Sequence, residues 1–409
     1  MLTGRQVRAR YPAVYGWRLL WLAYAALLAT LIACYLTLLA WGHNIGVDFA
    51  CFRAAAVVAT HGGNPYDFKQ LWQAENALYN LPRHLQPGDP SYYYLDRYYN
   101  PPLFATLLRP LASLSFELGF AIYGAAVIGL AAAGSWLLVQ SLGWTRYRRA
   151  AVTLTLVSPC VFLAVWNGQQ STLLLFALGA ALYALRGERP GMAGALMALG
   201  WVKPHLLVPI AVAIPLLLPS GRLALRWYMG FGLATLAGIG LTVATTGVAS
   251  IAAWLHTLFG YTGYADAIQN YMPSLSGMTL ILLPQPWNRV GALALMAIGC
   301  CAMAVTVAQV RRRGAAPWAG IGLLVATWLV FAPFAHTNDD VLLLLPLAVL
   351  WGRDGAQQTR PIPVLALWAC TALPLAFLLP RPFSLLGLLP AALVFAATAT
   401  RVIVERQPA

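Results

Sequence analysis

Residues Gly191 to Leu218 read GMAGALMALGWVKPHLLVPIAVAIPLLL, an apolar run broken near its middle by Lys203 and Pro204. Its length suffices for one helical crossing of a hydrocarbon core about 30 Å thick. A single crossing, however, would strand Arg222 and Arg226 on the outer side. It would also export Arg311, Arg312, Arg313, Arg353, Arg360, Arg401 and Arg406 once the later segments are counted. Lys and Arg in short loops favour the cytoplasmic side, so that threading is rejected. The run therefore reads as a broken hairpin, two half-length helices meeting at Lys203, a form tolerated only where it is buried in protein or lines a cavity.

The composition agrees with a membrane setting. Hydrophobic residues make up 60% of the 409-residue chain and charged residues 9%, whereas a water-exposed surface needs about 25–35% charged residues. The formal charge of +14 does not point to nucleic acid, because the basic residues sit in short groups between apolar runs and not on one face. Six cysteines are scattered without CxxC spacing and define no disulfide framework. Leu19 to Trp41 is too long for a cleaved signal and reads as a retained anchor.

Placing the Arg groups inside gives an all-α polytopic bundle of about twelve transmembrane segments, with broken half-helices and both termini cytoplasmic. The whole chain, 1–409, is one integral membrane domain. Residues 42–100 form a structured first extracytoplasmic loop with helices expected at Phe49 to Thr60 and Phe68 to Tyr79, and 248–287 form a second outer region. Single crossings are expected at Phe116 to Leu142, Ala150 to Trp166 and Ser171 to Leu185. His336 to Asp340 is expected to be an outer turn, and Leu275 to Leu283 to dip without spanning.

Acids number only 12, so Asp48 at the mouth of an apolar bundle is a costly placement. It precedes a helix, and could cap it or accept a proton from a substrate hydroxyl. Lys203 at bilayer depth costs at least about 2.5–3.5 kcal/mol and calls for an anion. A lipid phosphate entering sideways would serve, with His205 assisting; the plainer alternative is a Lys that snorkels to the interface. Asn167-Gly168-Gln169-Gln170 is a polar turn whose amides suit sugar hydroxyls. His336, followed by Asn338, Asp339 and Asp340, is a proton acceptor near neutral pH or simply a hydrated loop residue. Asp339-Asp340 alone make a weak metal site, so neither a metal nor a cofactor is expected. Tyr66, Tyr99 and Tyr92 to Tyr94 form an aromatic belt, with Tyr66 and Tyr99 able to stack on a sugar, and Arg53 is an outer cation suited to phosphate.

The ordered motifs Val47-Asp48-Phe49, Gly62 to Asp67 (GGNPYD), Tyr99 to Leu103 (YNPPL), Asn167-Gly168-Gln169, Gly194 to Pro204 and Ser274 to Gly277 (SLSG) resemble glycosyltransferase family 87. Those membrane enzymes of the GT-C superfamily include polyprenyl-phosphate-mannose-dependent α-1,2-mannosyltransferases. The resemblance implies a polyprenyl-phosphate-sugar donor and metal-independent inverting transfer on the extracytoplasmic side and does not fix the sugar or the acceptor; the expected partners are that donor and a glycolipid or glycan acceptor, at the plasma membrane. It also implies a catalytic Asp mapping onto Asp48 and a functional His mapping onto His336. A lipid or polysaccharide transporter would likewise bury Lys203 and break helices, but usually shows paired interruptions, and only one is found. A non-enzymatic membrane scaffold is the third reading.

Overall fold

The computed structural model describes residues 46–79, 98–144, 148–259, 274–284, 286–351 and 388–404. The expected anchor Leu19 to Trp41 and the tyrosines Tyr92 to Tyr94 lie outside them. The described elements are all helical. The first loop contributes α1 (Val47–Thr60) and α2 (Phe68–Tyr79), and the short α3 (Pro102–Leu107) and α4 (Arg109–Ala112) follow it. Then come α5 (Phe116–Ser141), α6 (Arg148–Leu156), α7 (Pro159–Asn167), α8 (Ser171–Arg186) and α9 (Pro190–Met197), the last continued as a 3-10 turn over Ala198–Val202. After the break come α10 (Pro204–Ala213), with a 3-10 turn at Ile214–Leu217, α11 (Gly221–Thr246) and α12 (Val248–Phe259). The chain closes with α13 (Leu275–Leu282), α14 (Trp287–Arg313), α15 (Pro317–Phe331), a 3-10 helix at Thr337–Leu343, α16 (Leu344–Trp351) and α17 (Leu389–Val404).

Among the described residues α5, α11 and α14 are long and apolar enough to cross a membrane. The other described helices are shorter, so the described residues are those of an all-α membrane protein and supply three of its segments as full-length apolar helices. The segment expected as one crossing at Ala150 to Trp166 is two helices. Ser158 caps the second by accepting from Val161 N at 3.4 Å, and Pro159 takes its first turn, where its missing N–H costs nothing. Helix α13 has 8 residues and, at about 1.5 Å each, covers less than half of the bilayer core.

The hairpin at Lys203 is visible in its packing on α11. Gly194 of the first arm lies against the Trp227 carbonyl, and Trp201 Nε1 donates to Thr235 Oγ1 at 2.8 Å, two turns further along α11. The second arm comes back: Trp227 Nε1 donates to the Ala211 carbonyl at 2.9 Å and the Tyr228 hydroxyl to that of Val212 at 2.8 Å. Both arms thus share the level of Trp227, and the turn at Lys203 lies beyond it. Apart from Trp227 and Thr242, α11 has few buried side chains, and Leu225, Met229, Leu233 and Leu236 are exposed. An apolar face of this extent suits lipid.

The same contacts sort the two ends of the bundle. The Arg186 guanidinium donates to the carbonyls of Gln140 and Ser141, Gly191 packs on the Arg226 carbonyl, and Val310 packs on Gly320 beside Leu217. These contacts gather Arg186, Arg189, Arg226 and Arg311 to Arg313 at one end. Trp328 Nε1 donates to the His205 carbonyl at 2.9 Å, bringing the C-terminus of α15 to the Lys203 turn at the other. The main core, with Leu174, Leu178, Leu206, Leu324 and Trp328, fills the bundle. A second core joins α1, α2 and α3 to α5 through Phe49, Phe52, Leu71, Tyr98, Phe104 and Tyr123.

Candidate active site

The anion that balances Lys203 belongs to the protein. Its Nζ lies 2.8 Å from Asp339 Oδ1, with the Lys203 side chain 7% and that of Asp339 0% exposed. Ser171, first residue of α8, completes a trio: its hydroxyl donates to Asp339 Oδ1 and receives Lys203 Nζ at 3.3 Å and Asn338 Nδ2 at 2.6 Å. The expected hydrated turn at His336 to Asp340 is instead a 3-10 helix, Thr337–Leu343, whose residues are buried throughout, with His336 half-buried as its N-cap. Asp339 explains why: with Lys203, Ser171 and the His336 amide (2.9 Å to Oδ2) as donors, the acidic segment can leave water.

A five-residue stretch carries this centre to the first loop. Asn167, Gly168 and Gln169 close α7, and Gln170 and Ser171 open α8. Gly168 has φ +77, and a Cβ there would meet Phe49 Cβ at 2.5 Å, so only glycine permits this approach. The Gly46 amide donates to the Trp166 carbonyl at 2.8 Å, clasping the start of α1 to the end of α7. Asp48 sits in the first turn of α1, half-buried, and interacts electrostatically with Tyr123. Three peptide units separate Gly168 from Ser171 and span at most about 11 Å. Asp48 and Lys203 therefore occupy the same end of the bundle.

Asn100 is the second joint. Its side-chain oxygen accepts from Gln170 Nε2, and its carbonyl accepts the Tyr66 hydroxyl at 2.7 Å. Tyr66 is set by GGNPYD. Gly63 N returns to the Val58 carbonyl at 2.9 Å, Asn64 Oδ1 accepts Tyr66 N at 3.1 Å, and Asp67 caps α2 by accepting Lys69 N at 2.9 Å. Hydrogen bonds from the Gln70 side chain and the Lys69 amide hold the Asp67 carboxyl below the usual range. The Tyr99 carbonyl accepts Trp254 Nε1 at 2.9 Å, tying α12 to the same joint.

Several buried polar atoms next to the trio have no hydrogen-bond partner among the described residues. They are Gln169 Oε1, Gln170 Oε1, Thr172 Oγ1, His205 Nε2 and Asp340 Oδ2. Each lies within two positions of Ser171, Lys203 or Asp339. Leaving such a group unsatisfied costs about 1–3 kcal/mol, so these five atoms are open to polar partners such as water or substrate.

The model of glycosyltransferase family 87 matches residues 98–333, more than half of the chain. The chain belongs to glycosyltransferase family 87. No curated protein and no solved structure matches it. The matched span holds Asn100, Asn167, Gln169, Ser171, Lys203, His205 and the SLSG segment, whose Ser276 hydroxyl donates to the Phe331 carbonyl at 2.7 Å. Asp48, Arg53, Tyr66, His336 and Asp339 lie outside that span, so the family match gives them no role.

In this glycosyltransferase, His336 and His205 stand beside Lys203 and Asp339. Burial, and then the Lys203 charge, outweigh Asp339 and hold the His336 imidazole down to about 4, leaving it neutral at pH 7. His205 meets the Phe334 ring edge-on at 6.1 Å, and Phe334 has φ 52, a left-handed conformation costing a bulky residue about 1–3 kcal/mol. Arg53 serves the scaffold: its guanidinium donates to the Leu114 carbonyl, while Arg109 donates to that of Ala59 at 2.9 Å. The two bonds fasten α1 at its middle and near its C-terminal end to α4 and the turn that follows it. Sequence reasoning missed Ser171 and Asp339 as partners of Lys203, Asn338 as a donor to both of them, and Asn100 with Gln170. The usable signal was scarcity: with so few acids, a buried Lys had few candidates, and Asp339-Asp340 run directly into the apolar stretch from Val341.

Proposed function

We propose that this glycosyltransferase moves a hexose, mannose on the family resemblance, from a polyprenyl-phosphate-sugar to a hydroxyl of a glycolipid or glycan at the extracytoplasmic face of the plasma membrane. One observation carries the reading. Asp48 and the buried Lys203–Asp339 pair are joined through Asn167 to Ser171, beside polar atoms that lack protein partners among the described residues.

Three of those atoms, Gln169 Oε1, Gln170 Oε1 and Asp340 Oδ2, are oxygens suited to sugar hydroxyls. Lys203 has three N–H groups, of which Asp339 and Ser171 take two; the third can meet the leaving phosphate. In the reaction Asp48 takes the proton of the acceptor hydroxyl as its oxygen bonds to the anomeric carbon. The bond from that carbon to the phosphate oxygen breaks on the opposite face, with inversion. Polyprenyl phosphate leaves with the electron pair, and the positive charge nearby lowers the energy of that step. The bundle keeps water out and so limits hydrolysis.

Asp48→Asn tests this, because Asp48 lies inside the first turn, behind the Gly46 N-cap, and Asn keeps its size and shape while removing the proton-accepting carboxylate. The purified variant should keep its thermal midpoint and lose release of polyprenyl phosphate from polyprenyl-phosphate-mannose and its glucose counterpart by a factor of at least about 10², at the low end of general-base effects. Release at the wild-type rate removes Asp48 as the base.

A further inference from the structure

A cavity of about 200 Å³ lies between the first loop and α12, lined by Pro65, Tyr66, Phe68, Leu71, Tyr98, His256 and Thr257. Its volume equals that of about seven waters at ~30 Å³ each, the scale of a single pyranose ring and too small for a prenyl chain. The first-loop wall is aromatic and fixed. Tyr66 and Tyr98 have centroids 5.5 Å apart, and their hydroxyls are committed to the carbonyls of Asn100 (2.7 Å) and Pro101 (3.0 Å). With its hydroxyl engaged, the half-buried Tyr66 offers the cavity ring surface, and the buried Tyr98 backs it. The α12 wall is polar: His256 is exposed, and Thr257 is half-buried with its hydroxyl donating to the Ala253 carbonyl at 2.9 Å, which leaves the oxygen able to accept. Aromatic carbon facing a few polar groups is what a pyranose asks for, since it has C–H faces and a hydroxyl edge.

The cavity also has a fixed relation to the chemistry. Tyr66 is held by the carbonyl of Asn100, whose side chain holds Gln170, and Trp254, one turn from Thr257, is held by the neighbouring Tyr99. We propose that this cavity is the acceptor subsite, seating a terminal pyranose of the acceptor glycan, with His256 and Thr257 as its specificity-determining residues. The assignment to the acceptor rests on the transfer reading above; the seating of a sugar does not.

The test is binding, not turnover. Saturation-transfer NMR on the full-length protein in a detergent without sugar, with methyl α-D-mannopyranoside and methyl β-D-glucopyranoside as probes, should transfer magnetisation to ring protons. His256→Ala should weaken the signal at least threefold and Thr257→Trp, which fills the cavity, should abolish it, while Leu255→Ala on the same helix retains it. Ring signals that survive Thr257→Trp, or no transfer to either probe in the wild type, overturn the subsite. Failure of the chemistry is separable: active Asp48→Asn with ring signals lost in Thr257→Trp refutes the proposed base and leaves the cavity standing.

Discussion

Lys203 Nζ and Asp339 Oδ1 lie 2.8 Å apart although 136 positions separate the two residues. The pair closes the bundle between the hairpin and the connection from α15 to α16. Removing one partner of such a pair leaves an uncompensated buried charge, at a cost of about 3–5 kcal/mol. Lys203→Met and Asp339→Leu should each lower the thermal midpoint in detergent sharply, and the double variant should recover most of the loss. If the recovered double variant also transfers sugar at the wild-type rate, Lys203 is a fastening and takes no part in leaving-group stabilisation.

Gly168→Ala probes the joint between Asp48 and the trio. A left-handed alanine costs roughly 1–2 kcal/mol, and its Cβ, 2.5 Å from that of Phe49, pushes on the first turn of α1 at a further ~1–3 kcal/mol. Displacing Asp48 by about 1 Å should reduce transfer by roughly 10²-fold. Steady-state release of polyprenyl phosphate at a temperature where the variant remains folded reports it; an unchanged rate separates Gly168 from the catalytic geometry.

His336 makes a statement about pH. Its imidazole is held down to about 4, so it is neutral over the range in which an ordinary His gains charge near 6.5. Transfer should therefore show no acid limb centred near 6.5 that depends on His336. A limb at that position in wild type, abolished by His336→Gln, would contradict the neutral imidazole.

Asn100→Ala strands Gln170 in the core, and the cost of an orphaned amide is about 1–3 kcal/mol. Tyr66→Phe loses one hydrogen bond to a carbonyl, worth about 0.5–1.5 kcal/mol. Transfer should accordingly fall further in Asn100→Ala than in Tyr66→Phe. The reverse order, measured as kcat/KM for the acceptor, would move the weight from the joint to the aromatic wall.

Local chemistry made much of this readable from sequence. The Lys203-Pro204 interruption predicts the break, and the Arg groups select the hairpin over a through-going helix, because both signals are carried by residues adjacent in the chain. The Gly62-Gly63 pair likewise marks where α1 stops. What escaped depends on distance. The stretch His336 to Asp340 is polar enough to suit water, and only the approach of Lys203 and Ser171 makes its burial tolerable. Ser158-Pro159 is a different case, since a cap followed by Pro is a local signal for a new helix, concealed by the apolar residues on either side that suit one continuous crossing. Asp48 and Gly168 illustrate the limit for the candidate site: each is noticeable alone, yet their adjacency is a property of α1 and α7 packed together.

The hairpin also bears on how the chain is threaded during synthesis. Since its two arms share the level of Trp227, the segment is silent in the count of crossings. A compartment reporter fused after Leu218 should give the same signal as one fused after Glu188. An insertion or deletion confined to these residues would reshape the chamber without inverting anything downstream.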